Sequence, residues 1–488
     1  MPDFEFEKEL TATETGIPGL KVLELAVHGD SRGWFKENWQ RAKMTALGIP
    51  DLKVVQNNIS FNAEQGVTRG VHAEPWDKFI SIGSGSVFGA WVDLREGSPT
   101  FGKAYTTLLD PSRAIFVPRG VGNAFQALED GTVYTYLVDA HWSAELKKTY
   151  TFVNLADPAL GIEWPIPLSE AILSEADMNH PYLRDVVPMP PKRTLVAGCN
   201  GQLGRAVRAI ANELRVDANF DWTDRNEFDM SDPAEYSKIN WDLYGTVINC
   251  GAYTAVDKAE TPKGRMDAWK ANAVGPALLA RTCTEHGITL VHISSDYVFD
   301  GTCEQHYEEE PLSPLNVYGQ SKAAGDLAVA GCPHHYILRT SWVVGDGQNF
   351  VKTMVGLSNR IADPKDTLDR VTVVDDQFGR LTFTRDLARA IFHLLGQHAP
   401  FGVYNCTGLG AVRSWADIAK TCFAIANGNS DKVTPVSTDC YYQKSKEQVA
   451  PRPRYSTLDI RKLVSTGFEM HDWESELEQY VQSIVDGD

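Results

Sequence analysis

The sequence predicts an all-β domain followed by an α/β domain, and three observations carry this prediction. The chain has 488 residues, enough for two or more domains of about 100–200 residues each. Short strand-like segments fill its first part, whereas strands and helices alternate in the second. Proline cannot continue a helix or a central strand, and Pro188-Met189-Pro190-Pro191 separates the two patterns. We therefore predict domains at 1–187 and 193–488, joined by a linker at 188–192.

Strand-like segments in the first domain are rich in Val, Ile, Phe and Tyr and are separated by Gly, Pro and Asp. The clearest of them cover 54–60, 85–93 and 132–138, with partial period-two alternation. Many short strands at close spacing predict a sandwich or a barrel.

The second domain alternates between the two kinds of element. Apolar strands are predicted at 194–198, 246–250 and 289–294, and helical periodicity covers 205–214 and 266–285. Strand, helix and strand at this spacing indicate a parallel, doubly wound sheet.

Composition and charge limit the partners and the location. The net charge is −18, and without a basic face we expect neither nucleic acid nor an anionic membrane as a partner. We find no signal peptide and no apolar run of the ~18–20 residues that a bilayer crossing needs. The eight cysteines are scattered without a CxxC pair, which predicts reduced thiols in a cytoplasmic protein.

A glycine-rich turn follows the first strand of the second domain. Gly198, Gly201 and Gly204 form a GxxGxxG pattern before a predicted helix, where glycine lets the backbone approach a pyrophosphate at the helix N-terminus. A tight turn that needs small residues has the same pattern. Asp224 and Arg225 follow about 20 residues on, and Asp suits a ribose 2′-hydroxyl whereas Arg suits a 2′-phosphate. NADH, NADPH and a solvated loop pair all remain open here.

Tyr318 and Lys322 are spaced i, i+4, which places them on one helix face. A nearby ammonium lowers the pKa of a tyrosine, so the pair can protonate an alkoxide as a nicotinamide delivers hydride. Ser295, at the end of the predicted strand 289–294, can donate a hydrogen bond to the same oxygen. A bare YxxxK pair also occurs on surface helices, but together with the glycine pattern it predicts a dehydrogenase.

With these motifs in place, residues 193–488 resemble the dTDP-4-dehydrorhamnose reductases, which are Rossmann-type α/β extended short-chain reductases. The segments that carry the resemblance are 201–204, 247–260, 295–301, 318–322, 339–343 and 452–459. The resemblance implies Ser295, Tyr318 and Lys322 as catalytic residues and places Tyr297 and Trp342 near the sugar. It also implies a small C-terminal substrate-binding portion.

The same resemblance implies NADPH or NADH as the cofactor. The cofactor-binding residues that follow from it and from the glycine pattern are Gly198, Gly201, Gln202, Leu203, Gly204, Asp224, Arg225, Gly251, Ala252, Tyr318 and Lys322. Some relatives bind Mg²⁺ through acidic side chains at a dimer contact. We assign no metal ligand in this sequence, and Mg²⁺ and a homodimer both remain open.

In the first domain, His72 stands alone in its strand, without an HxH pair or a second clustered histidine. A metal site would want two or three ligands at short spacing, so metal-free chemistry is favoured. Proton abstraction beside a carbonyl fits, because imidazole is a base at neutral pH and an ammonium stabilises an enolate. A tyrosine on the opposite face would return the proton. The alternative is a sugar-binding barrel whose histidine belongs to the wall.

Residues 1–187 resemble the dTDP-4-dehydrorhamnose 3,5-epimerases, which are all-β jelly rolls of the cupin type, through the segments 30–33, 69–72, 95–102 and 173–177. The resemblance implies His72 as the base, Asp177 as its orienting partner, Lys78 as the enolate-stabilising group and Tyr136 as the opposing acid. The substrate-binding residues that it implies are Arg32 and Arg69, for the nucleotide diphosphate, and Gln56 and Asn58, lining the site.

Three features depart from the epimerase pattern. The segment between His72 and Lys78 is short, Gly89 stands where the family commonly has Asp, and Asn123 stands where it commonly has His. These departures leave open a double epimerisation at C3 and C5, a single one, and a weakened site.

The two activities form consecutive steps, because one 4-keto group acidifies its neighbouring C–H bonds and then accepts hydride. We predict a bifunctional enzyme that epimerises dTDP-4-keto-6-deoxy-glucose without a cofactor and reduces the product to dTDP-L-rhamnose. The first alternative is an active NAD(P)H-dependent reductase beside a cupin that only binds or scaffolds. The second is a nucleotide-binding regulatory subunit, against which Ser295, Tyr318 and Lys322 argue.

Overall fold

A computed structural model describes residues 4–443 and 448–487, and the chain divides into two units between Pro191 and Lys192. Within the described residues, no helix combines the length and the apolarity that a bilayer crossing requires.

The first unit consists mainly of antiparallel strands. In chain order these are β1 (Thr11–Glu14), β2 (Lys21–Glu24), β3 (Val27–Asp30), β4 (Gly33–Lys36), β5 (Gln56–Asn62), β6 (Thr68–Ala73), β7 (Lys78–Ser84), β8 (Val87–Asp93), β9 (Ala104–Leu109), β10 (Arg113–Val117), β11 (Val121–Ala127), β12 (Thr132–Val138) and β13 (Thr151–Phe152). The α-helices of this unit are α1 (Arg41–Ala46), α2 (Ala144–Lys147) and α3 (Glu175–Met178).

These strands form two sheets, with the orders β1-β2-β10-β7-β12-β5 and β13-β6-β11-β8-β9, beside the β3–β4 hairpin. Alternate side chains of a strand point to one face, so each sheet presents an apolar face to the core. Phe125 of the second sheet stacks on Tyr134 of the first, with ring centroids 4.1 Å apart. The two sheets therefore pack face to face, as the short, closely spaced strands predict.

Strands and helices alternate in the second unit. Its strands are β14 (Arg193–Ala197), β15 (Phe220–Thr223), β16 (Tyr244–Asn249), β17 (Thr289–Ser295), β18 (His335–Thr340), β19 (Val343–Val344), β20 (Val371–Val374), β21 (Phe378–Gly379), β22 (Thr382–Phe383), β23 (Gly402–Asn405), β24 (Arg413–Ser414) and β25 (Val433–Val436). Its α-helices are α4 (Gln202–Glu213), α5 (Pro233–Tyr236), α6 (Val256–Ala259), α7 (Pro262–Trp269), α8 (Gly275–His286), α9 (Val317–Ala330), α10 (Phe350–Ala362), α11 (Thr384–Gly396), α12 (Trp415–Asn427), α13 (Thr438–Tyr442), α14 (Arg461–Ser465) and α15 (Trp473–Asp486).

The main sheet of this unit is parallel and has the order β15-β14-β16-β17-β18-β23. Both of its faces are buried: Val196 of β14 belongs to one hydrophobic cluster, and its neighbours Leu195 and Ala197 belong to another. The strands that follow β14 lie on its two sides, β15 on one and β16 on the other. Ligands in such sheets bind beyond the carboxyl ends of the strands where the order reverses, which here is between β14 and β16.

Residues 266–285, predicted as one helix, form parts of α7 and α8 around a π-helical turn at Lys270–Val274. Pro276 lacks the N–H group that an α-helical bond back to residue 272 would need, and the wider turn precedes it. A separate core that includes residues of α10, α12 and α15 lies in the C-terminal part of the unit.

Candidate active sites

In the first unit, four of the predicted site residues lie on one face of a sheet. The register of β12 with β5 and β7 places Tyr136 opposite Asn58, and Val138 between Lys78 and Gln56. Residues paired across strands share a face, so all four side chains point the same way. The Lys78 Nζ atom lies 5.5 Å from the centroid of the Tyr136 ring.

His72 lies in β6 of the other sheet and is joined to α3. Its Nε2 atom is 2.7 Å from Asp177 Oδ1, and Ser174 caps α3 by accepting a hydrogen bond from the Asp177 N–H. Burial alone would raise the pKa of Asp177, but the hydrogen bond from His72 opposes this effect, and the pKa lies below its usual range. An ionised carboxylate only accepts, so Nε2 donates and Nδ1 keeps the lone pair that a base needs. The His72 side chain is 34% exposed, so solvent reaches it.

A second histidine lies beside this pair. The rings of His72 and His180 have centroids 5.4 Å apart, and His180 stacks on Phe152. The expectation that no second histidine clusters with His72 is wrong, because only the fold brings these distant segments together. His180 stands three residues after Asp177 in the sequence, and that proximity is the signal that could have found it. Ligand atoms of His72, Asp177 and His180 lie within 4.8 Å of one another, a donor set that transition metals accept.

Lys78 is buried and forms an ion pair with Glu74. Burial lowers the pKa of Lys78 to about 7. Burial raises the pKa of Tyr136, with partial offset from the charge of Arg69. The phenol is therefore protonated at neutral pH, as a proton donor must be.

The structure gives a physical reason for two departures from the epimerase pattern. A Cβ atom at Gly89 would lie 2.1 Å from the Trp91 ring, so the indole fills the space that an acidic side chain would need. Asn123 is paired with His72 in the β11–β6 register, and its Oδ1 accepts a hydrogen bond of 2.9 Å from the Tyr134 hydroxyl. Asn123 thus links the two sheets from the strand beside the base.

The predicted substrate-binding residues of this unit fall into two groups. The Gln56 amide donates to Asn58 Oδ1 at 2.8 Å, and Arg69 of β6 lies close enough to Tyr136 to affect its pKa. Arg32, by contrast, lies between β3 and β4, has a side chain 88% exposed and forms an ion pair with Asp30. Among the described residues, the structure does not bring Arg32 into contact with the other predicted site residues.

In the second unit, two glycine turns meet at the carboxyl ends of β14 and β16. Gly198 has a φ of +81°, and a Cβ atom there would lie 2.7 Å from the Gly251 nitrogen. A Cβ atom at Gly204 would lie 2.5 Å from the Gly198 carbonyl oxygen. Helix α4 begins at Gln202, and its N-cap residue, Gly201, has no side chain to satisfy the first N–H groups. These groups suit a phosphate. The side chain of Leu203 instead packs in the core.

A cavity of about 470 Å³ opens beside the two glycine turns. Its lining residues are Ala197, Gly198, Arg225, Phe228, Asp229, Met230, Ser231, Gly251, Ala252, Tyr253, Lys263, Asp267, Lys270 and Ala271. The predicted residues Gly198, Arg225, Gly251 and Ala252 thus share one cavity, which is large enough for part of a dinucleotide.

Asp224 and Arg225 differ in their freedom to bind a ligand. The Asp224 carboxylate accepts hydrogen bonds from the Asn226 N–H at 2.8 Å and from the Asn200 amide at 3.0 Å. Arg225 lines the cavity, and its side chain is 77% exposed and forms a 3.5 Å ion pair with Asp229. The guanidinium is therefore the more available group of the two, and it suits a phosphate.

The three predicted catalytic residues of this unit converge. Tyr318 and Lys322 lie on α9, whose N-cap Asn316 accepts the Gly319 N–H. Lys322 Nζ donates to the carbonyl oxygen of Ile293 in β17 at 2.5 Å. Burial raises the pKa of Tyr318 to about 12, with partial offset from the Ser295 hydroxyl beside it. Burial lowers the pKa of Lys322 to about 8, with partial offset from Asp326. The expectation of a lowered pKa for Tyr318 is thus wrong in this structure, because burial raises it and the partial offset comes from Ser295.

The two residues expected near the sugar occupy different surroundings. The Tyr297 ring meets the Tyr318 ring edge-on, with centroids 5.6 Å apart. Trp342 has a φ of +48° and stacks on Trp415 at 3.8 Å. The structure joins Tyr297 to the catalytic residues directly, whereas Trp342 belongs to an aromatic pair of its own.

Asp296 was missed in the sequence, although it follows Ser295 directly. It is 3% exposed, and its Oδ1 accepts a hydrogen bond of 3.0 Å from the Ser295 hydroxyl. A buried carboxyl in contact with a catalytic hydroxyl is a functional candidate.

Family comparisons match the two units separately. The family described as dTDP-4-dehydrorhamnose 3,5-epimerase matches residues 14–185, and the family described as RmlD substrate binding domain matches residues 192–485. A curated relative of the first unit is the Protein RmlC homolog of Streptococcus pyogenes serotype M6, 52% identical over 198 residues, which cover 39% of this chain and 99% of that protein.

Relatives of the second unit include a solved structure. The dTDP-4-dehydrorhamnose reductase of Streptomyces griseus is 35% identical over 300 residues, which cover 59% of this chain and 93% of that protein. The crystal structure of dTDP-4-dehydrorhamnose reductase from Bacillus anthracis in complex with NADP is 34% identical and has a TM-score of 0.52. That match covers 60% of this chain and 98% of the solved one.

Proposed function

The chain belongs to the dTDP-4-dehydrorhamnose 3,5-epimerases through its first unit and to the dTDP-4-dehydrorhamnose reductases through its second, and we infer that it is a bifunctional enzyme of dTDP-L-rhamnose synthesis. The observation that carries this inference is that each unit assembles its own acid–base set, His72 with Asp177 in one and Tyr318 with Lys322 in the other. A scaffold or a sensor needs neither.

The proposed epimerase step uses residues from both sheets of the first unit. In the proposed mechanism, His72 Nδ1 takes the proton beside the 4-keto group of dTDP-4-keto-6-deoxy-glucose. The Lys78 ammonium stabilises the enolate oxygen, where a fixed positive charge is worth most. Tyr136 returns a proton from the other side and so inverts the carbon. Asp177 keeps the imidazole in one tautomer.

The reductase step uses the glycine turns and α9. The absence of room for a Cβ atom at Gly198 and Gly204 fits a pyrophosphate held by backbone N–H groups. When bound, the nicotinamide supplies hydride to the 4-keto carbon. Tyr318 gives its proton to the ketone oxygen, and Ser295 donates a hydrogen bond to that oxygen. Lys322 keeps the phenol in position.

NADPH is the cofactor that the residues favour. Arg225 is exposed in the cavity, while the Asp224 carboxylate accepts hydrogen bonds from the Asn226 and Glu227 N–H groups of its own turn and from the Asn200 amide. A guanidinium pairs with a 2′-phosphate, whereas NADH would use a free carboxylate on its 2′-hydroxyl. The NADP complex of the Bacillus anthracis reductase supports the same choice.

We also propose finer descriptions of the two folds. The two packed antiparallel sheets of the first unit support a cupin-type jelly roll. The strand order and the glycine turn of the second support a Rossmann-type extended short-chain reductase whose C-terminal part binds the sugar. The functional domains are then residues 1–187 and 193–488, with a linker at 188–192.

One incubation tests the bifunctional proposal. The full chain is mixed with dTDP-4-keto-6-deoxy-glucose and NADPH, and the sugar product is identified by NMR. dTDP-L-rhamnose is the expected product. A product reduced at C4 without inversion at C3 and C5 would overturn the epimerase half and support the binding or scaffolding role that the substitutions at Gly89 and Asn123 leave open. No oxidation of NADPH with either this substrate or dTDP-4-dehydrorhamnose would overturn the reductase half.

A further inference from the structure

We propose that Asp296 is a positioning residue of the reductase, which holds the Ser295 proton when ionised and releases it toward the substrate when protonated. This proposal rests on the reductase function argued above. It assigns a role to a buried carboxyl that the reduction itself does not use.

The geometry around the Ser295 hydroxyl limits what it can do. Its Oγ donates to Asp296 Oδ1 at 3.0 Å and accepts from the Tyr297 N–H at 3.2 Å. A hydroxyl has one proton to donate, and an ionised carboxylate can only accept. While Asp296 is ionised, the Ser295 proton is therefore committed to it and is not available to a ketone oxygen.

Protonation of Asp296 reverses this hydrogen bond. A carboxylic acid donates through its O–H, so Ser295 can accept from Asp296 and turn its own proton toward the substrate. Negative charge develops on the ketone oxygen as hydride arrives, and a preorganised donor is most valuable at that point. The neutral form of Asp296 is thus the one that supports reduction.

The surroundings of Asp296 raise its pKa toward neutral pH. Burial raises the pKa of Asp296 to about 6, with partial offset from the Ser456 and Ser295 hydroxyls and from His306. The titratable groups that face it are Tyr297 of its own turn, Tyr318 of α9 and His306, which is paired with Glu310. A bound sugar would exclude more water and raise the pKa further.

Ser456 offers a second way to change the pKa of Asp296. It belongs to the 452–459 segment, which the catalytic steps above do not use, and it is 2% exposed. Its hydroxyl lowers the pKa of Asp296. Removal of that hydroxyl should therefore favour the neutral form of Asp296 over a wider pH range without altering Ser295.

The test is the pH profile of reduction by the full chain, with NADPH and with dTDP-4-dehydrorhamnose as substrate so that epimerisation is not required. For the wild type, we expect kcat/KM to fall at least about tenfold between about pH 5.5 and 7.5, as a single group near pH 6 requires. The fall in kcat should lie at higher pH, because the bound sugar covers Asp296. Asp296→Asn cannot ionise, and its kcat/KM should vary less than about twofold over the same range.

Two further variants decide the remaining outcomes. Ser456→Ala should move the fall to higher pH. Asp300→Asn, a control whose carboxylate accepts hydrogen bonds from Thr302, should leave the fall in place. A flat wild-type profile, an Asp296→Asn profile that falls like the wild type, or a folded but inactive Asp296→Asn protein would overturn the proposal. If Asp296→Asn does not fold, an unmoved profile in Ser456→Ala overturns it. No reduction by the wild type at any pH would instead overturn the reductase function itself.

Discussion

The Nε2 atom of His72 and the Oδ1 atom of Asp177 lie 2.7 Å apart, although one belongs to β6 and the other to α3. This contact fixes the imidazole tautomer and leaves Nδ1 as the free base. It also keeps Asp177 ionised, because the hydrogen bond holds the pKa of Asp177 low. Proton abstraction by His72 should therefore be measurable without NADPH, separately from reduction.

His72→Asn should abolish hydrogen exchange in the first unit. With dTDP-4-keto-6-deoxy-glucose in D₂O and no NADPH, the wild type should exchange hydrogen at the carbons that flank the ketone. Asparagine is polar but not basic, and loss of a general base costs about 10²–10⁴-fold. His28→Asn, an exposed histidine of the same unit, is the control and should exchange normally. Because the proposed step needs no metal, EDTA should leave wild-type exchange unchanged.

Exchange that persists in His72→Asn would assign the base elsewhere. No exchange in the wild type would leave the first unit with a binding or scaffolding role.

Tyr136→Phe should separate exchange from inversion. The ring keeps its place beside Lys78, so proton abstraction by His72 continues, but the far-face proton donor is lost. We expect deuterium incorporation at a rate within about tenfold of the wild type and a loss of inverted product of about 10²-fold or more, both followed by NMR. Tyr182→Phe, a half-exposed tyrosine of the same unit, should change neither. Equal losses of exchange and inversion in Tyr136→Phe would argue against its role as the opposing acid.

Sequence reasoning succeeds where the signal is local. The strand β12 follows from the partly alternating pattern at 132–138, and the GxxGxxG turn and the Tyr318–Lys322 pair each lie within one turn or one helix. His180 was missed because it meets His72 only through the packing of a distant segment on β6. The sequence shows that Lys322 lies one helical turn from Tyr318, but it does not show the burial that raises the pKa of the phenol. Burial depends on the whole fold, and no short pattern encodes it.

Tyr318→Phe should slow reduction while leaving NADPH binding intact. The variant keeps the ring but removes the proton donor, and we expect a loss of about 10²–10⁴-fold in the rate of NADPH oxidation. Binding, followed by quenching of protein fluorescence, should remain within about twofold of the wild type. Lys322→Ala should weaken NADPH binding and also slow reduction, because we expect the ammonium to bind the cofactor as well as to position the phenol. Tyr307→Phe, half-exposed in the same unit, is the control. A loss below about tenfold in Tyr318→Phe would contradict its assignment.

Arg225→Ala should reduce the preference for NADPH over NADH. The guanidinium lines the cavity, and its ion pair among the described residues is long, at 3.5 Å, so the variant should lose a charge-assisted contact with the 2′-phosphate and little else. Such contacts contribute about 1.5–3 kcal/mol, which corresponds to a rise of roughly tenfold to a hundredfold in KM for NADPH. The KM for NADH should stay within about twofold. Arg281→Ala, an exposed arginine on α8, should affect neither cofactor. Equal changes for both cofactors would show that Arg225 does not read the phosphate.

A fragment of residues 193–488 should fold and reduce dTDP-4-dehydrorhamnose without the first unit. The hydrophobic clusters around its parallel sheet and in its C-terminal part consist of residues from the second unit alone, and a domain with its own core can fold independently. Its kcat with NADPH should lie within about threefold of the full chain, but it should not convert dTDP-4-keto-6-deoxy-glucose to dTDP-L-rhamnose. Addition of a fragment of residues 1–187 should restore that conversion, because a free intermediate can pass between separate proteins.

A fragment of residues 193–488 that is insoluble, or that fails to bind NADPH, would place the functional boundary elsewhere. Conversion that is not restored by two folded fragments would mean that the covalent link itself is needed for the consecutive steps.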